Sequence, residues 1–412
     1  MSKKLTLGIF GFGVVGQGLY DIIRTNYLQI DVKKFVIRDG SKVRPLPAEL
    51  FTTDRRQVLD DPEITTVVEL IDDADAAFEI VSEALKKGKD VVSANKKMIA
   101  HHLEELVAIQ KETGSSLLYE GAVCGSIPII RNLEEYYDNE LLYAVSGIFN
   151  GSSNYILSQI CIEGWTYEKA LKKAQDLGFA ESDPSMDVGG FDPKFKLVIL
   201  AAHSYGLFLA PEEVLNIGIH HLGEEELQFA TERGWKIKLV PEIRQIGPNE
   251  VTLYVLPRFV EPGHLLYNVE HENNAVLVKA AFANEQFFYG KGAGGHPTGS
   301  AVLSDITALR YGYKYEYKKH LHQAIPGVNL DVEIPVYLRY SDPELVKKVG
   351  FSAIEEYGTS PNSYVVGRIS LRQILAAGQA IEQDRAFLAQ LPDSASKLPD
   401  SASKLSDFGI VK

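Results

Sequence analysis

Cysteine is scarce in this sequence. Only two of the 412 residues are cysteine, Cys124 and Cys161, so the chain cannot carry the disulfide framework of a small secreted protein. Neither cysteine lies in a cluster with the spacing of metal ligands. We therefore expect a reducing compartment and interpret the protein as cytoplasmic.

Basic residues are fewer than acidic ones, and long apolar runs are absent from the sequence. Lysine and arginine total 42 against 55 aspartate and glutamate residues, which gives a net charge of −13. This balance excludes the basic surface typical of nucleic-acid binding or of attachment to anionic membranes. No apolar run approaches the roughly 20 residues of a membrane span. The first apolar stretch is too short and too glycine-rich for a signal peptide.

The first third of the chain alternates between strand and helix patterns. A length of 412 residues predicts two or more domains. Short apolar runs at residues 5–10, 34–37, 67–71 and 90–93 predict strands, and the stretches between or after them predict helices. Such alternation indicates parallel βαβ units. The predicted helices are residues 14–23, 74–87 and 103–111.

The pattern changes near residues 145–150. Residues 152–210 are mostly helical in pattern, and residues 211–245 predict two more helices and a strand. Strands of an α+β domain are then predicted at three places. These are residues 251–256, 266–270 and 275–282. Residues 331–375 predict a strand, a helix and a strand, and the polar repeat that follows is low in complexity.

A glycine-rich turn follows the first predicted strand. It has the pattern G-x-G-x-x-G and consists of Gly11, Phe12, Gly13, Val14, Val15 and Gly16. In a dinucleotide-binding unit the first glycine permits the tight turn, the second lets the backbone approach the pyrophosphate, and the third lets the helix pack on the strand. The helix N-terminus attracts the phosphates. The position between strand and helix favours NAD(P) binding over a purely structural turn.

The end of the second predicted strand bears on the coenzyme. Arg38 and Asp39 stand there, with Lys42 close behind. An acidic residue at this place is typical of NAD sites, and an arginine accommodates the 2′-phosphate of NADP. Arg38 favours NADP, with NAD as the alternative, while Lys42 is equally explained as a solvated loop charge.

Two further segments contain candidate ligands. Ser93-Ala94-Asn95-Lys96-Lys97 follows a predicted strand at the sheet edge where ligands bind, so Lys96 is a candidate catalytic or cofactor contact. A helix-capping loop with a surface lysine is the alternative. Residues 119–128 combine small residues with Glu120, and their carbonyls can hold a hard cation. On the residues alone, a structural loop is favoured there.

The segment 178–196 is rich in carboxylates. Asp192 followed by Pro193 predicts a helix start, with Asp192 as the N-cap and Lys196 within reach four residues later. Such a set can bind an amino group and orient a lysine that acts as general acid in carbonyl reduction. A solvated acidic loop is equally well supported by spacing. The carboxylates are Glu181, Asp183, Asp187 and Asp192.

Taken together, these segments resemble the homoserine dehydrogenase family. Residues 93–96 are similar to the family's T-A/P-N-K, and residues 147–157 resemble its G-I-L-N-G-T-T-N-Y-I-L. The match runs in order from residue 5 to about residue 320, and several linked motifs in order are specific where one alone is not. Its other parts are residues 11–16, 120–128, 174–196 and 290–298.

The resemblance implies an activity and an architecture. The activity is NAD(P)H-dependent reduction of L-aspartate 4-semialdehyde to L-homoserine, toward threonine and methionine, in a homodimer. The α/β fold would comprise an NAD(P)-binding Rossmann domain (1–145) and an α+β substrate-binding, catalytic and dimerisation domain (146–325). A short, atypical, ACT-like remnant (326–390) and a low-complexity tail (391–412) would follow.

The resemblance also implies roles for individual residues. Lys196 looks like the proton donor to the carbonyl oxygen. Asp192, Asp187 and Glu181 look like groups that bind the substrate's amino end or orient Lys196. The cofactor contacts implied besides the glycine turn and Arg38 are Ser93, Lys96 and Gly292. The residues implied for a monovalent cation such as Na⁺ or K⁺ are Glu120, Val123, Gly125 and Ile127.

Three departures from the family pattern keep alternatives open. Ser126 adds a Cβ to the cation loop, and Asp72-Asp73 places two acids where the family often has glycines. The tail predicts only strand, helix and strand, so inhibition by threonine is not predicted. The alternatives are a dehydrogenase of another amino-acid aldehyde and a cofactor-binding, non-catalytic paralogue.

Overall fold

A computed structural model describes residues 5–25, 30–138, 141–358 and 363–392. The predicted low-complexity tail therefore lies, from residue 393 onward, outside the described residues. The chain divides into two compact units. The first contains Met1–Leu141, Val198–Pro211 and Phe288–Ala324, and the second contains Leu142–Leu197, Glu212–Phe287 and Ile325–Lys412.

A parallel sheet forms the centre of the first unit. Its strands are β1 (Thr6–Phe10), β2 (Asp31–Val36), β3 (Phe51–Thr52), β4 (Thr66–Glu69), β5 (Asp90–Ser93) and β6 (Leu117–Leu118). Their order is β3-β2-β1-β4-β5-β6, and every pair is parallel. This is the strand order of a dinucleotide-binding Rossmann domain, so the predicted fold class is confirmed. Ligands of such sheets bind outside the carboxyl ends of the strands, where the order reverses between β1 and β4.

Four helices connect these strands, and the last two of them begin at polar caps. They are α1 (Val14–Thr25), α2 (Arg56–Leu59), α3 (Ala74–Lys86) and α4 (Lys96–Thr113). Asp73 accepts hydrogen bonds from the backbone of Asp75 and Ala76, and Asn95 accepts one from Met98. The start of α4 was predicted at residue 103, which was wrong because the Asn95 cap starts the helix at Lys96.

The rest of the chain builds a large mixed sheet and nine more α-helices within the described residues. The strands are β7 (Leu142–Ile148), β8 (Leu215–Asn216), β9 (Lys236–Gly247), β10 (Glu250–Val260), β11 (Asn273–Ala280), β12 (Asn284–Lys291), β13 (Gly327–Val328), β14 (Glu333–Tyr340), β15 (Ala353–Gly358), β16 (Ser363–Ser370) and β17 (Phe387–Gln390). The helices are α5 (Gly151–Glu163), α6 (Tyr167–Asp176), α7 (Ser185–Val188), α8 (Phe191–Tyr205), α9 (Glu224–Glu232), α10 (Gly295–Leu309), α11 (Lys318–His322), α12 (Pro343–Val349) and α13 (Leu371–Gln383). The sheet order is β12-β11-β7-β9-β10-β17-β14-β16-β15, with β8 and β13 paired to β10.

Two local predictions in this part were wrong. Residues 211–245 contain one α-helix, α9, because residues 211–216 form a 3₁₀ turn and the short strand β8. Residues 266–270 were predicted as a strand, but Leu265–Asn268 form a 3₁₀ turn whose start is capped by the His264 imidazole, which accepts the Leu266 N–H at 3.1 Å.

The C-terminal region contains more than the predicted remnant. Strand β14, helix α12, strands β15 and β16, helix α13 and strand β17 give a complete βαββαβ order. The four strands pair as β17-β14-β16-β15, all antiparallel. Buried Leu338, Val365, Ile374 and Leu388 belong to one hydrophobic core that fills this region. The predicted strand, helix and strand are present as β14, α12 and β16, whereas β15, α13 and β17 were not predicted. Strand β15 is only partly buried and lacks a strong apolar pattern.

Among the described helices, none combines the length and the apolar character that crossing a membrane requires.

Candidate functional site

The glycine turn lies between β1 and α1 at the carboxyl edge of the parallel sheet. Gly11 adopts a φ of +98°, and a Cβ there would lie 2.6 Å from the Leu70 carbonyl oxygen. A Cβ at Gly16 would lie 2.7 Å from the Gly11 carbonyl oxygen, so the helix packs closely on the turn. No described atom lies within 4 Å of a Cβ placed on Gly13. The turn is therefore crowded on its protein side and open where a pyrophosphate would approach.

Helix α10 packs against the same turn. A Cβ at Gly18 would lie 2.4 Å from the Gly295 backbone, and Gly295 itself lies against the Val14 carbonyl. Gly292, three residues before this contact, is buried and lies against Gly125. The structure thus brings the segment 290–298 together with the glycine turn, although the two are far apart in the sequence.

The loop after β2 carries three basic side chains and one engaged acid. Asp39 accepts hydrogen bonds from the backbone N–H of Ser41 at 2.9 Å and from its hydroxyl at 2.6 Å. The bond from the Ser41 hydroxyl lowers the pKa of Asp39, which stays ionised. Arg38 and Lys42 are exposed, and Arg44 donates to the Asp39 carbonyl at 2.9 Å. One oxygen of the Asp39 carboxylate is thus held by its own loop, and Arg44 contacts the backbone of the same residue.

The ends of β4 and β5 are joined by a buried hydrogen-bond network. The Ser93 hydroxyl donates to Glu69 at 2.6 Å, and Glu69 also accepts the Ile71 N–H at 2.7 Å. Burial raises the pKa of Glu69 to about 7. Lys96 follows the Asn95 cap as the first residue of α4 and is half-buried. Ser93 therefore positions this edge of the sheet, and Glu69 is a residue that the sequence motifs did not indicate.

The predicted cation loop is tight and mostly buried. The two carboxylate oxygens of Glu120 accept the N–H groups of Ile130 at 2.8 Å and Arg131 at 3.0 Å. Burial, with the nearby charge of Asp305, raises the pKa of Glu120 to about 7. Cys124 and Gly125 both adopt positive φ, 54° and 52°. The buried Glu120 carboxylate thus fixes the backbone of this loop through two hydrogen bonds.

The carbonyl oxygens of Val123 and Gly125 are among those in this loop that accept no hydrogen bond from the described part of the chain. The Ile127 carbonyl accepts the Ile129 N–H at 2.9 Å, and the Glu120 carbonyl accepts the Val123 N–H at 3.3 Å. Ser126 donates its hydroxyl to the Lys291 carbonyl at 3.1 Å. Oxygen atoms without donors are the ligands that a hard cation prefers, so the loop fits such an ion.

A chain of buried polar side chains surrounds Lys196. Its ammonium donates to the Asp192 carboxylate at 2.7 Å and to the Phe149 carbonyl at 2.6 Å. The Asn150 amide donates to the same Asp192 oxygen at 2.9 Å and to Asp187 at 2.7 Å. Lys196 and Asp192 are only 7% and 4% exposed. The structure therefore joins Asp187, Asp192 and Lys196 through Asn150, which sequence reasoning left without a role.

One prediction about this segment needs correction. Helix α8 begins at Phe191, so Asp192 lies inside its first turn and is not the N-cap; its carboxylate accepts from Lys196 and Asn150 instead. Glu181 is exposed, and Gln175 donates to its backbone carbonyl at 3.0 Å. Within the described part of the chain, no hydrogen bond or ion pair joins the Glu181 side chain to Asp187, Asp192 or Lys196, and its role in substrate binding stays a prediction.

The geometry agrees with the chain's similarity to known proteins. The family model described as "Homoserine dehydrogenase" matches residues 128–307, and "Homoserine dehydrogenase, NAD binding domain" matches residues 11–120. A homoserine dehydrogenase of Bacillus subtilis is 36% identical over 317 residues, which cover 74% of this chain and 73% of the relative. The chain belongs to the homoserine dehydrogenase family. It is thus an NAD(P)-dependent oxidoreductase of amino-acid biosynthesis, as the resemblance implied.

Solved structures of homoserine dehydrogenases share the fold. One from Thiobacillus denitrificans has a TM-score of 0.83 and 31% identity, and the alignment covers 95% of this chain and 99% of that chain. A hyperthermophilic archaeal homoserine dehydrogenase in complex with NADPH has a TM-score of 0.66 and 26% identity, and the alignment covers 76% of this chain and 99% of that chain. The first alignment extends beyond residue 330, where the sequence resemblance fades, so the C-terminal region has a structural counterpart.

Proposed function

We propose that Lys196 is the general acid in the reduction of L-aspartate 4-semialdehyde to L-homoserine. The observation that carries this proposal is the hydrogen bonding of its ammonium. That group has three N–H donors, and the described contacts use two, to Asp192 and Phe149. The third is available to a carbonyl oxygen.

Proton and hydride transfer are then complementary. Bound NAD(P)H supplies the hydride to the carbonyl carbon. Lys196 transfers a proton to the oxygen as negative charge develops there, which avoids a free alkoxide, and the neutral amine regains its proton from solvent. Asp192 and the Phe149 carbonyl fix the nitrogen in place, so little reorganisation is needed during the reaction.

The neighbouring carboxylates have a different role in this proposal. Asp187 is held by Asn150, and both it and the exposed Glu181 are offered as partners for the substrate's ammonium group. Opposite charge favours that contact, and the requirement selects an amino-acid aldehyde over a simple one. Lys96, half-buried at the start of α4, is proposed as a contact to the cofactor and substrate.

The test compares two lysines of one helix. Lys196→Ala should lower kcat about 10²–10⁴-fold, the usual worth of a general acid, with the Kd of NADPH nearly unchanged. Lys194→Ala is the matched control, because Lys194 lies two residues away on α8 and its ammonium stacks over Phe191. Stopped assays of homoserine oxidation and fluorescence titration of NADPH give the two values. Near-normal turnover in Lys196→Ala would reject the assignment.

We further propose that NADP is the preferred coenzyme. Arg38 precedes Asp39, and Arg44 donates to the Asp39 backbone carbonyl, while both hydrogen bonds from Ser41 go to one oxygen of the Asp39 carboxylate. Arginine donors near a 2′-phosphate favour NADP, whereas a 2′-hydroxyl would share the Asp39 carboxylate with Ser41. Arg38→Ala should raise the KM for NADPH about 10–100-fold and leave that for NADH within about twofold. Arg24→Ala, an exposed arginine at the end of α1, is the control.

The carbonyls of Val123 and Gly125 support a monovalent-cation site, with Glu120 and Ile127 contributing to its walls. Such an ion would stabilise a loop that lies against Gly292. Rates in KCl and NaCl should exceed those in choline chloride of equal ionic strength. Equal rates in all three salts would reject a functional cation.

We also propose a cytoplasmic homodimer. The scarcity of cysteine supports a reducing compartment. Exposed aromatic side chains near one edge of the large sheet support self-association, because a second copy of the chain can cover them. Phe282 is 73% exposed, and Phe287 on the edge strand β12 is 37% exposed.

A further inference from the structure

The second unit contains a cavity that the proposed chemistry does not use. Its volume is about 750 Å³, and its lining is mostly apolar. One wall comes from the segment around α7, including Ser185 and Phe191. The opposite wall comes from helix α13 of the C-terminal βαββαβ region, including Leu375, Gly378 and Ile381.

Three potential metal ligands line this cavity. His220 and His221 follow β8, and Glu382 lies in the last turn of α13. The Nε2 atom of each histidine lies 3.1 Å from a different oxygen of Glu382. All three ligand atoms lie within 4.8 Å of one another. Among the described histidine, cysteine, aspartate and glutamate residues, this is the one group of three with such spacing.

We propose that His220, His221 and Glu382 bind a divalent transition-metal ion of the zinc class. Ligands of tetrahedral zinc, at about 2.0–2.1 Å from the ion, stand roughly 3.3 Å apart, and the measured histidine–carboxylate separations are close to that value. Two imidazoles and one carboxylate are a common zinc donor set that leaves a fourth position for water or a small ligand. The three side chains line a cavity that can admit either.

The site connects two parts of the second unit. Glu382 belongs to α13, whereas the histidines end a segment that is tied to the loop after α7. The Ile219 N–H donates to the Val188 carbonyl at 2.7 Å, and Asn216 donates to the Gly189 carbonyl at 2.8 Å. Val188 directly follows Asp187. A bound ion therefore cross-links the C-terminal region to the segment that holds a proposed substrate ligand.

The experiment measures metal binding to the full-length chain, independently of its dehydrogenase activity. Chelator-treated protein is titrated with Co²⁺, followed by visible ligand-field absorption, and then with Zn²⁺ in competition. We expect one ion per chain. The affinity should fall at least about tenfold in His220→Gln, His221→Gln and Glu382→Gln, since even changes around metal ligands cost that much.

The chain offers a matched control in its other adjacent histidine pair, His101-His102 on α4. The double variant His101→Gln/His102→Gln should bind Co²⁺ like the parent. Circular dichroism establishes whether each variant is folded. If a histidine variant is unfolded, Glu382→Gln still tests the proposal, because it changes an exposed side chain. Absence of binding by the parent chain, or equal binding by parent and Glu382→Gln, would overturn the proposal.

Discussion

A single carboxylate oxygen organises the buried contacts of Lys196. Asp192 Oδ2 accepts from both Lys196 and Asn150, so one oxygen holds the proposed acid and links it to the Asp187 carboxylate. A buried ammonium without a carboxylate partner would carry a desolvation cost of several kcal/mol. The ion pair thus has a structural function as well as the proposed catalytic one.

Asp192→Asn tests that double function. The substitution keeps the shape of the side chain but removes the charge opposite Lys196. We expect kcat to fall about 10–100-fold, less than in Lys196→Ala, because the lysine is present but poorly held. Steady-state kinetics should show this loss with the Kd of NADPH unchanged. A higher KM for the substrate with an unchanged kcat would instead place Asp192 in substrate binding alone.

Glu69 predicts a pH dependence of stability. Its folded-state pKa of about 7 lies above the ordinary value of 4.5, because it is buried. The unfolded chain therefore binds fewer protons between these values, and the stability that protonated Glu69 contributes is lost as pH rises through about 7. Glu69→Gln stays neutral, so its free energy of unfolding relative to the parent should rise by about 1–3 kcal/mol between pH 5 and pH 8.

Urea unfolding at the two pH values checks this expectation. Glu104→Gln, on the exposed face of α4, serves as control and should show no such difference. If Glu69→Gln followed the parent at both pH values, Glu69 would be ionised in the fold and its burial would be compensated elsewhere.

At the scale of elements, glycines in and next to α1 have two different functions. One permits close packing against α10, and the other leaves space for the coenzyme. Gly18→Ala would place a Cβ 2.4 Å from the backbone of Gly295, whereas Gly13→Ala meets no described atom within 4 Å. Alanine within a helix gains about 1 kcal/mol over glycine, but overpacking against backbone costs about 1–3 kcal/mol or more. The clash at Gly18 therefore dominates.

The paired substitutions should give opposite results. Gly18→Ala should lower the thermal midpoint of unfolding by several degrees. Gly13→Ala should leave that midpoint unchanged but weaken NADPH binding about tenfold or more, because its Cβ fills the open side of the turn. Calorimetry and fluorescence titration measure the two quantities. Unaltered NADPH affinity in Gly13→Ala would contradict the role of Gly13 in coenzyme binding.

Sequence patterns predicted some of these elements and missed others for identifiable reasons. The buried strands β1, β4 and β5 are short apolar runs next to turns, so their pattern is clear. Strand β15 is partly exposed along its length and therefore lacks a clear apolar pattern. Helix α13 has both a Ser370–Gln373 capping box and buried apolar residues at helical spacing, so the sequence does contain a signal for it that the prediction did not use. The Asn150 bridge and the Glu69–Ser93 bond join residues far apart in sequence, which no local pattern specifies.

At the scale of the whole molecule, the compact units are not continuous segments of the sequence. The first unit includes Val198–Pro211 and Phe288–Ala324 besides its N-terminal part. Tyr119, for example, donates or accepts a 2.7 Å hydrogen bond with His203, which also bonds Glu134 at 2.6 Å. Such long-range contacts decide which segments fold together, and a periodicity along the chain cannot report them. The contiguous domain boundaries at residues 145 and 325 stay predictions.

Assembly is the remaining property at this scale, and the exposed aromatics at one edge of the large sheet make it testable. A second copy of the chain would cover Phe282 and Phe287, which a monomer leaves in water. Light scattering should give twice the chain mass of 45.6 kDa. The double variant Phe282→Asp/Phe287→Asp should shift the equilibrium toward the monomer, because a buried unpaired carboxylate costs several kcal/mol per chain.

The opposite edge of the same sheet supplies the control. Tyr357 on β15 is 60% exposed, similar to the aromatics near β12, but lies at the far end of the strand order. Tyr357→Asp should leave the mass unchanged. If it dissociated the dimer while Phe282→Asp/Phe287→Asp did not, self-association would run through the C-terminal strands. The surface near β12 would then stay exposed in the assembly, and its aromatic side chains would need another partner.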